Sequence, residues 1–381
     1  MAARNPSLKH HLASLPDPRS DRGRRHVLLD VMVMAVLATL CGADDWESVE
    51  AFGEEQEPWL RTFLELPNGI PSHDTFSRIF RRLDTQAFTE CFLEWTRAVR
   101  RKIPKDVVAI DGKTLRASMD AETSPLHLVS AWSSGNRMVL GQQAVDSKSN
   151  EIHAIPALLK VLDLRGCIVT IDAMGCQKDI AKAITGRKAD YILAVKGNQK
   201  RLHQAIQAQF EARDTAPDQM AHGHCASEDR SHGRRVVREV TTLDAVRLLP
   251  EDLLLAWAKL ETPVRVQSIA ERDGKVVRED RFYISTMPMQ AVEAIAEGVR
   301  SHWGIENSLH WVLDVAFNED RNRTRKGTAP EAGALLRHIV LNLLRQDTAS
   351  KRSIKNRRMK AALNPAYRLE ALMGFRHDQV N

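Results

Sequence analysis

The chain has no pair of cysteines in a CxxC spacing, and its five cysteines, Cys41, Cys91, Cys167, Cys176 and Cys225, are odd in number. They read as free thiols of a reducing compartment, not as a disulfide framework. An apolar run fit to cross a bilayer is also missing. The most apolar stretch, VLLDVMVMAVLATLCGA (27–43), is short for that and carries Asp30, so a buried helix is expected and no membrane partner. The opening residues MAARNPSLKHH lack the apolar centre of a secretory leader, so a cytoplasmic protein is expected. Gly112-Lys113-Thr114 echoes the end of a phosphate-binding loop, but the loop's first glycine would fall on Val107. No nucleotide cofactor is expected. His222, His224, Cys225 and His232 match no standard zinc spacing, and there is no internal repeat or low-complexity tract.

What is present is a long, core-forming chain. Its 381 residues suggest two or three units, and an apolar fraction of 43% excludes global disorder. The net charge of +6 suits a polyanionic partner without requiring one. The basic residues cluster in RNRTRK (321–326) and KRSIKNRRMK (351–360). Charge runs are commonly solvated helix faces, but two of them in the last third of the chain favour a DNA-binding role.

Residues 1–25 are polar and basic, and read as an arm or loop. From 27 to about 100 the apolar spacing is helical. PSHDTFSRIFRRLD (71–84) starts with a capping Ser72, then sets Phe76, Ile79, Phe80 and Leu83 on one face. The other face carries Arg78, Arg81 and Arg82; Arg78 and Arg82 are candidate DNA contacts, with a plain solvated face as the equal alternative.

After RAVRRKIPKD (97–106) strands begin. The pattern predicts a strand at 107–111, then a hairpin of HLVSAWSS and RMVLGQQAV turning at Gly135-Asn136. A helix (153–164), a strand (167–172), a helix (177–187), a strand (191–196) and a helix from Gln199 to about Arg213 follow. This is a mixed α/β sheet with helices on its faces. A polar loop and three strand-like runs, the last two joined at Asp273-Gly274, then read as a β-rich insertion at about 214–288. A helix resumes near Met289. The expected units are a helical domain (1–100), a catalytic domain (105–345) and a basic tail (346–381).

Two predicted strands finish on carboxylates, VVAID at Asp111 and CIVTID at Asp172. Strand ends form the rim at which α/β proteins bind ligands. Side by side, two such acids would repel each other unless a hard divalent cation lay between them. An aspartate in that place also caps helices, so each alone is weak evidence. RSHWGIENSLHW (300–311) places His302, Glu306 and His310 four residues apart on one helix face. A shared zinc is set aside, because histidines eight residues apart on a helix lie about 12 Å apart along its axis.

In order and spacing, Asp111, Asp172 and Glu306, with a β-insertion before the last, resemble the DDE transposases. More narrowly, IDGKTLR, IDAMGCQ, DYILAVKGNQ and HWGIENSLHWVLDVAFNED resemble the ISAs-type, H-repeat-associated insertion-sequence transposases, over nearly the whole chain. The resemblance implies an RNase H-like catalytic fold, with Asp111, Asp172 and Glu306 as catalytic residues holding two Mg2+ ions, replaceable by Mn2+. It implies DNA as partner, both element ends and target, a homodimer on that DNA, and a place in the bacterial cytoplasm with the nucleoid. Candidate DNA contacts are Lys113, Lys196, Arg300, His302, Trp303, His310, Arg321, Arg323 and Arg325.

Related transposases carry Tyr-x2-Arg-x3-Glu-x6-Lys around the last acid, and here those places hold Val299, His302, Glu306 and Leu313. Only the glutamate is kept, so the basic roles would pass to Arg300, His302 and His310. Lys113 is read either as a phosphate contact or as the partner of a carboxylate. Trp303 stacks on a displaced base or packs in the core.

Overall fold

In the computed structural model, residues 7–119, 124–145, 151–231, 234–272 and 275–375 are described. The first hundred residues form α1 (Leu8–Leu12), α2 (Leu28–Cys41), α3 (Trp46–Leu60), α4 (His73–Phe80) and α5 (Thr85–Val99). α2 is the apolar stretch and is buried along nearly its whole length. Its Asp30 carboxylate is satisfied there by the Leu66 N–H at 2.9 Å. Among the described residues no helix is long and apolar enough to cross a membrane. The supposed arm is in part α1, whose Leu8 and Leu12 are buried in the same core.

The sheet follows, opening with the meander β1 (Val107–Leu115), β2 (Leu126–Ser133) and β3 (Met138–Val145). α6 (Glu151–Val161), β4 (Ile168–Ile171), α7 (Lys178–Gly186), β5 (Asp190–Val195) and α8 (Lys200–Thr215) come next. The order β3-β2-β1-β4-β5, antiparallel across the meander and parallel from β1 to β5, is RNase H-like. Alternation directs the side chains. Val108, Ile110, Val169 and Leu193 pack in one cluster with Leu158 of α6 and Ile180 of α7, while Val107, Ile168 and Ile192 face the other way.

The expected insertion comprises β6 (His222–Ser231), β7 (Arg234–Leu243), the short helices α9 (Ala245–Leu248) and α10 (Glu251–Ala256), then β8 (Thr262–Arg272) and β9 (Lys275–Ser285). Its strands continue the main sheet instead of standing apart, because β9 pairs antiparallel with β5 from Phe282 to Ser285. The result is one nine-stranded mixed sheet. The polar, histidine-bearing loop is really β6, the outermost strand, and its charged sequence suits an exposed edge. The expected Asp273-Gly274 turn and His232 lie outside the described residues.

α11 (Val292–Ile305) covers the second face, where Ile295 and Val299 meet Val107, Ile168 and Ile192. Gly298 permits the approach: a Cβ there would lie 2.4 Å from Ile192 Cδ1. A single π turn (Glu306–His310) leads into α12 (Trp311–Phe317), then α13 (Ala329–Arg345), α14 (Ile354–Leu363) and α15 (Pro365–Met373).

These last helices share one core with α1–α5, so the two ends of the chain build a single helical body. The basic 351–360 run is therefore only partly a surface. Arg357 and Arg358 are buried, and their guanidinium groups donate to the carbonyls of Leu344, Asp347 and Thr39. Planar forks with several donors can close off helix ends in this way, which a sequence pattern does not reveal.

Candidate active site

The parallel pairing of β1 with β4 puts Ile110 opposite Ile171, so Asp111 and Asp172 come next on neighbouring strands. Alternation aims both at the α11 face. β4 does end just before Asp172, at Ile171, but β1 continues to Leu115 along β2. Asp111 thus marks where β1 parts from β4, not a strand end. Asp172 turns the chain: its Oδ1 accepts from the N–H groups of Met174 (3.1 Å) and Gly175 (3.2 Å).

Glu306 opens the π turn immediately after α11. The expected regular helix over 300–311 is therefore broken at the residue of interest, in a form that recurs at functional sites. His302, before the break, meets the Thr170 hydroxyl through Nδ1 at 3.0 Å. His310, at its end, brings Nδ1 to 3.5 Å from Asp111 Oδ2. Burial keeps both imidazoles neutral-leaning, His310 down at about 4.

The acids bear on one another. Burial pushes the Asp111 carboxyl up to about 7, and the charges of Asp172, Glu151 and Glu306 push the same way against the Gly112 N–H. Asp172 and Glu306 also line one cleft of about 370 Å³ with Lys196, His302 and Trp303. The donor set is carboxylate oxygen, the chemistry that suits Mg2+ or Mn2+. Among the described residues, however, no three His, Cys, Asp or Glu side chains are gathered around one point. The fit is therefore one of donor chemistry and common rim.

The candidate DNA contacts divide by where their side chains go. Lys196 and Arg300 are exposed, Arg300 pairing with Asp229 at 2.7 Å. Trp303 is 44% exposed, with the Arg281 guanidinium 5.2 Å over its ring, so core packing is not its place. Arg78, Arg82, Arg321, Arg323 and Arg325 are exposed too. Arg321, Arg323 and Arg325 share a groove with Arg81.

Lys113 and His310 are turned inward. Lys113 Nζ donates to Glu319 Oε2 at 2.9 Å and pairs with Asp314, which ties β1 to α12. Of the two readings of Lys113, the carboxylate partner is the one seen.

Residues 102–343 match the family described as "Transposase DDE domain". The chain belongs to the DDE transposases. Residues 9–96 match the family described as "DDE_Tnp_1-associated". Of curated relatives, the "Putative transposase YncI" of Escherichia coli O157:H7 is 40% identical over 98% of this chain and 97% of its own. The "H repeat-associated putative transposase YhhI" of Escherichia coli K12 is 39% identical over 96% and 98%. Among solved structures, a piggyBac transposase synaptic complex with hairpin DNA aligns at 10% identity with a TM-score of 0.45, over 96% of this chain and 78% of that one.

Sequence reasoning missed Glu151 and His127 in this DDE transposase. Glu151 starts α6, and its Oε1 lies 2.6 Å from His127 Nε2, whose Nδ1 lies 2.8 Å from the Thr114 hydroxyl. Both lean on Gly112, where a Cβ would fall 2.2 Å from Glu151 Oε1. The available signal was the glycine directly after Asp111, a place where backbone and side chains come close.

Proposed function

We propose that this protein is a working DNA transposase, which binds insertion-element ends and carries out metal-dependent strand cleavage and strand transfer. The observation that supports the reading most directly is the parallel pairing that brings Asp111 and Asp172 next to each other on the face covered by α11, with Glu306 lining one cleft with Asp172. These three side chains would hold Mg2+, or Mn2+ in its place. When bound, a pair of such ions activates the attacking oxygen and stabilises the leaving one in an in-line phosphoryl transfer.

The chain's other residues hold the DNA and shape the rim. Exposed Trp303, beside Glu306, offers a face for a base unstacked at the cut, with Arg281 behind it. Lys196 at the cleft mouth meets a phosphate. His302, fixed by Thr170, aligns the helix that delivers Glu306. Lys113, gripping Asp314 and Glu319, holds β1 in register with the segment after Glu306. The working units are residues 1–100 for DNA recognition, 105–345 for chemistry, and a C-terminal piece from 346 that joins the helical body. Two ends must be held together, so a homodimer on DNA in the bacterial cytoplasm is the working form.

Incubating the protein with an element-end fragment bearing a free 3′-hydroxyl and a supercoiled plasmid tests the reading. Mg2+-dependent joined product is expected. Nicks without joining would make it a nuclease, and a metal-independent gel shift without cutting would leave a DNA-binding relic.

A further inference from the structure

The rim opposite the carboxylates carries three chain reversals laid edge to edge. The Lys105 N–H donates to the Gly166 carbonyl at 3.0 Å, and the Gly166 N–H to the Lys188 carbonyl at 2.9 Å. This row ties together the turns that precede β1, β4 and β5. Gly166 sits at φ 71°, as a glycine does in such a turn, but Lys105 and Lys188 also stand in the left-handed region, at 55° and 58°. Long side chains seldom occupy that region, and glycine would sit there without strain.

Two hollows open around the row. One, of about 670 Å³, is lined by Lys102, Lys105 and Arg165 among others. The second, of about 580 Å³, shares Arg165 and adds Lys160, Arg187 and Lys188. All six cations are exposed, and among the described residues none of them makes an ion pair. Arg187 gives its guanidinium to the Lys160 carbonyl. Asp163 is the one acid among the described residues lining the hollows. A solvated surface commonly mixes both signs of charge; here one sign is collected around two strained backbone positions that keep lysine in place of glycine.

We propose that this rim binds the phosphate backbone of duplex DNA, without regard to sequence, and that the duplex it holds is not the one at the carboxylates. β4 spans about 13 Å between the rims, at roughly 3.3 Å per residue, and the sheet with α6 and α7 lies between them. A straight duplex lying on one rim has that layer between it and the other. The inference rests on the DNA reading above, since strand transfer brings a second DNA partner to the protein.

The test uses the full chain and a fluorescein-labelled duplex of random sequence, followed by anisotropy across a sodium chloride series. The variant combines Lys105→Gly and Lys188→Gly, which relieve the backbone, with Lys102→Ala and Arg165→Ala. Each phosphate neutralised contributes about 0.9 to the log–log salt slope, so losing four cations should make the slope shallower by up to roughly 3.6 and binding weaker by at least about tenfold. The Lys105→Gly/Lys188→Gly pair alone should unfold at a temperature no lower than the wild type while binding less well. Arg247→Ala, which removes an exposed cation paired with Asp244 and outside both hollows, should keep the wild-type slope.

Equal slopes for wild type and the fourfold variant would overturn the rim while leaving the DNA reading intact. Loss of stability with unchanged binding would do the same, assigning the lysines to the fold. A wild type that binds no duplex at all would overturn both.

Discussion

Glu319 and Asp111 are two acids largely withdrawn from solvent, and they stand in opposite fields. Burial alone would raise the Glu319 carboxyl, yet Arg337 and Lys113 outweigh it and hold it down at about 2. Arg337 Nε lies 2.8 Å from one oxygen and Lys113 Nζ 2.9 Å from the other. Among the described residues Asp111 meets only the neutral-leaning His310, at 3.5 Å, and burial with three neighbouring acids pushes it up to about 7. One acid carries its own counter-charges and belongs to the framework. The other lacks them, as a group does whose counter-charge comes from outside.

The comparison breaks most visibly at the uncompensated acids. Asp172→Asn should reduce strand cleavage by about a thousandfold or more, since several kcal/mol of charge stabilisation are lost with it. Its thermal midpoint should stay level or rise, because like-charge repulsion is relieved. A variant that unfolded readily would place Asp172 with the framework acids.

Glu319→Gln should do the reverse, costing about 3–5 kcal/mol of stability by leaving Arg337 buried without its anion and Lys113 with Asp314 alone. The sign with pH follows from its depressed carboxyl. The stabilisation is whole above the ordinary value of 4.5 and is lost as the pH falls toward about 2. Denaturant melts from pH 5 to 2 should therefore converge for wild type and variant.

Gly298→Ala sharpens the account of how Glu306 is delivered. Its Cβ would press Ile192, lifting α11 from the sheet for about 1–3 kcal/mol and slowing cleavage while DNA affinity holds. The smallest effect is expected from Asp314→Asn. This partner of Lys113 is a third exposed and Glu319 remains, so a loss under about 1 kcal/mol is expected by thermal melting.

The parts written as local pattern were legible in the sequence. The runs before Asp111 and Asp172, the Gly135-Asn136 hairpin and β7 each show in their own few residues, and the structure places them as expected. The parts that depend on distant partners were not. β6 has no apolar alternation, because it is an edge strand paired on one side only. The π turn at Glu306 leaves no periodic trace, and the joining of β9 to β5 is decided by pairing across about ninety residues. Arg357 and Arg358 look like surface charge until the carbonyls they cap are known. Of the candidate site, Asp111, Asp172 and Glu306 could be nominated from the sequence, while Glu151 and His127 were hidden because a lone acid and a lone histidine carry no signal of their own.

The most direct measurement is Mn2+ binding, followed by electron paramagnetic resonance, on the wild type and on Asp172→Asn at equal protein concentration. The account predicts bound Mn2+ in the wild type, displaced by Mg2+, and its loss in a variant that still folds. Equal Mn2+ uptake by both proteins would contradict it.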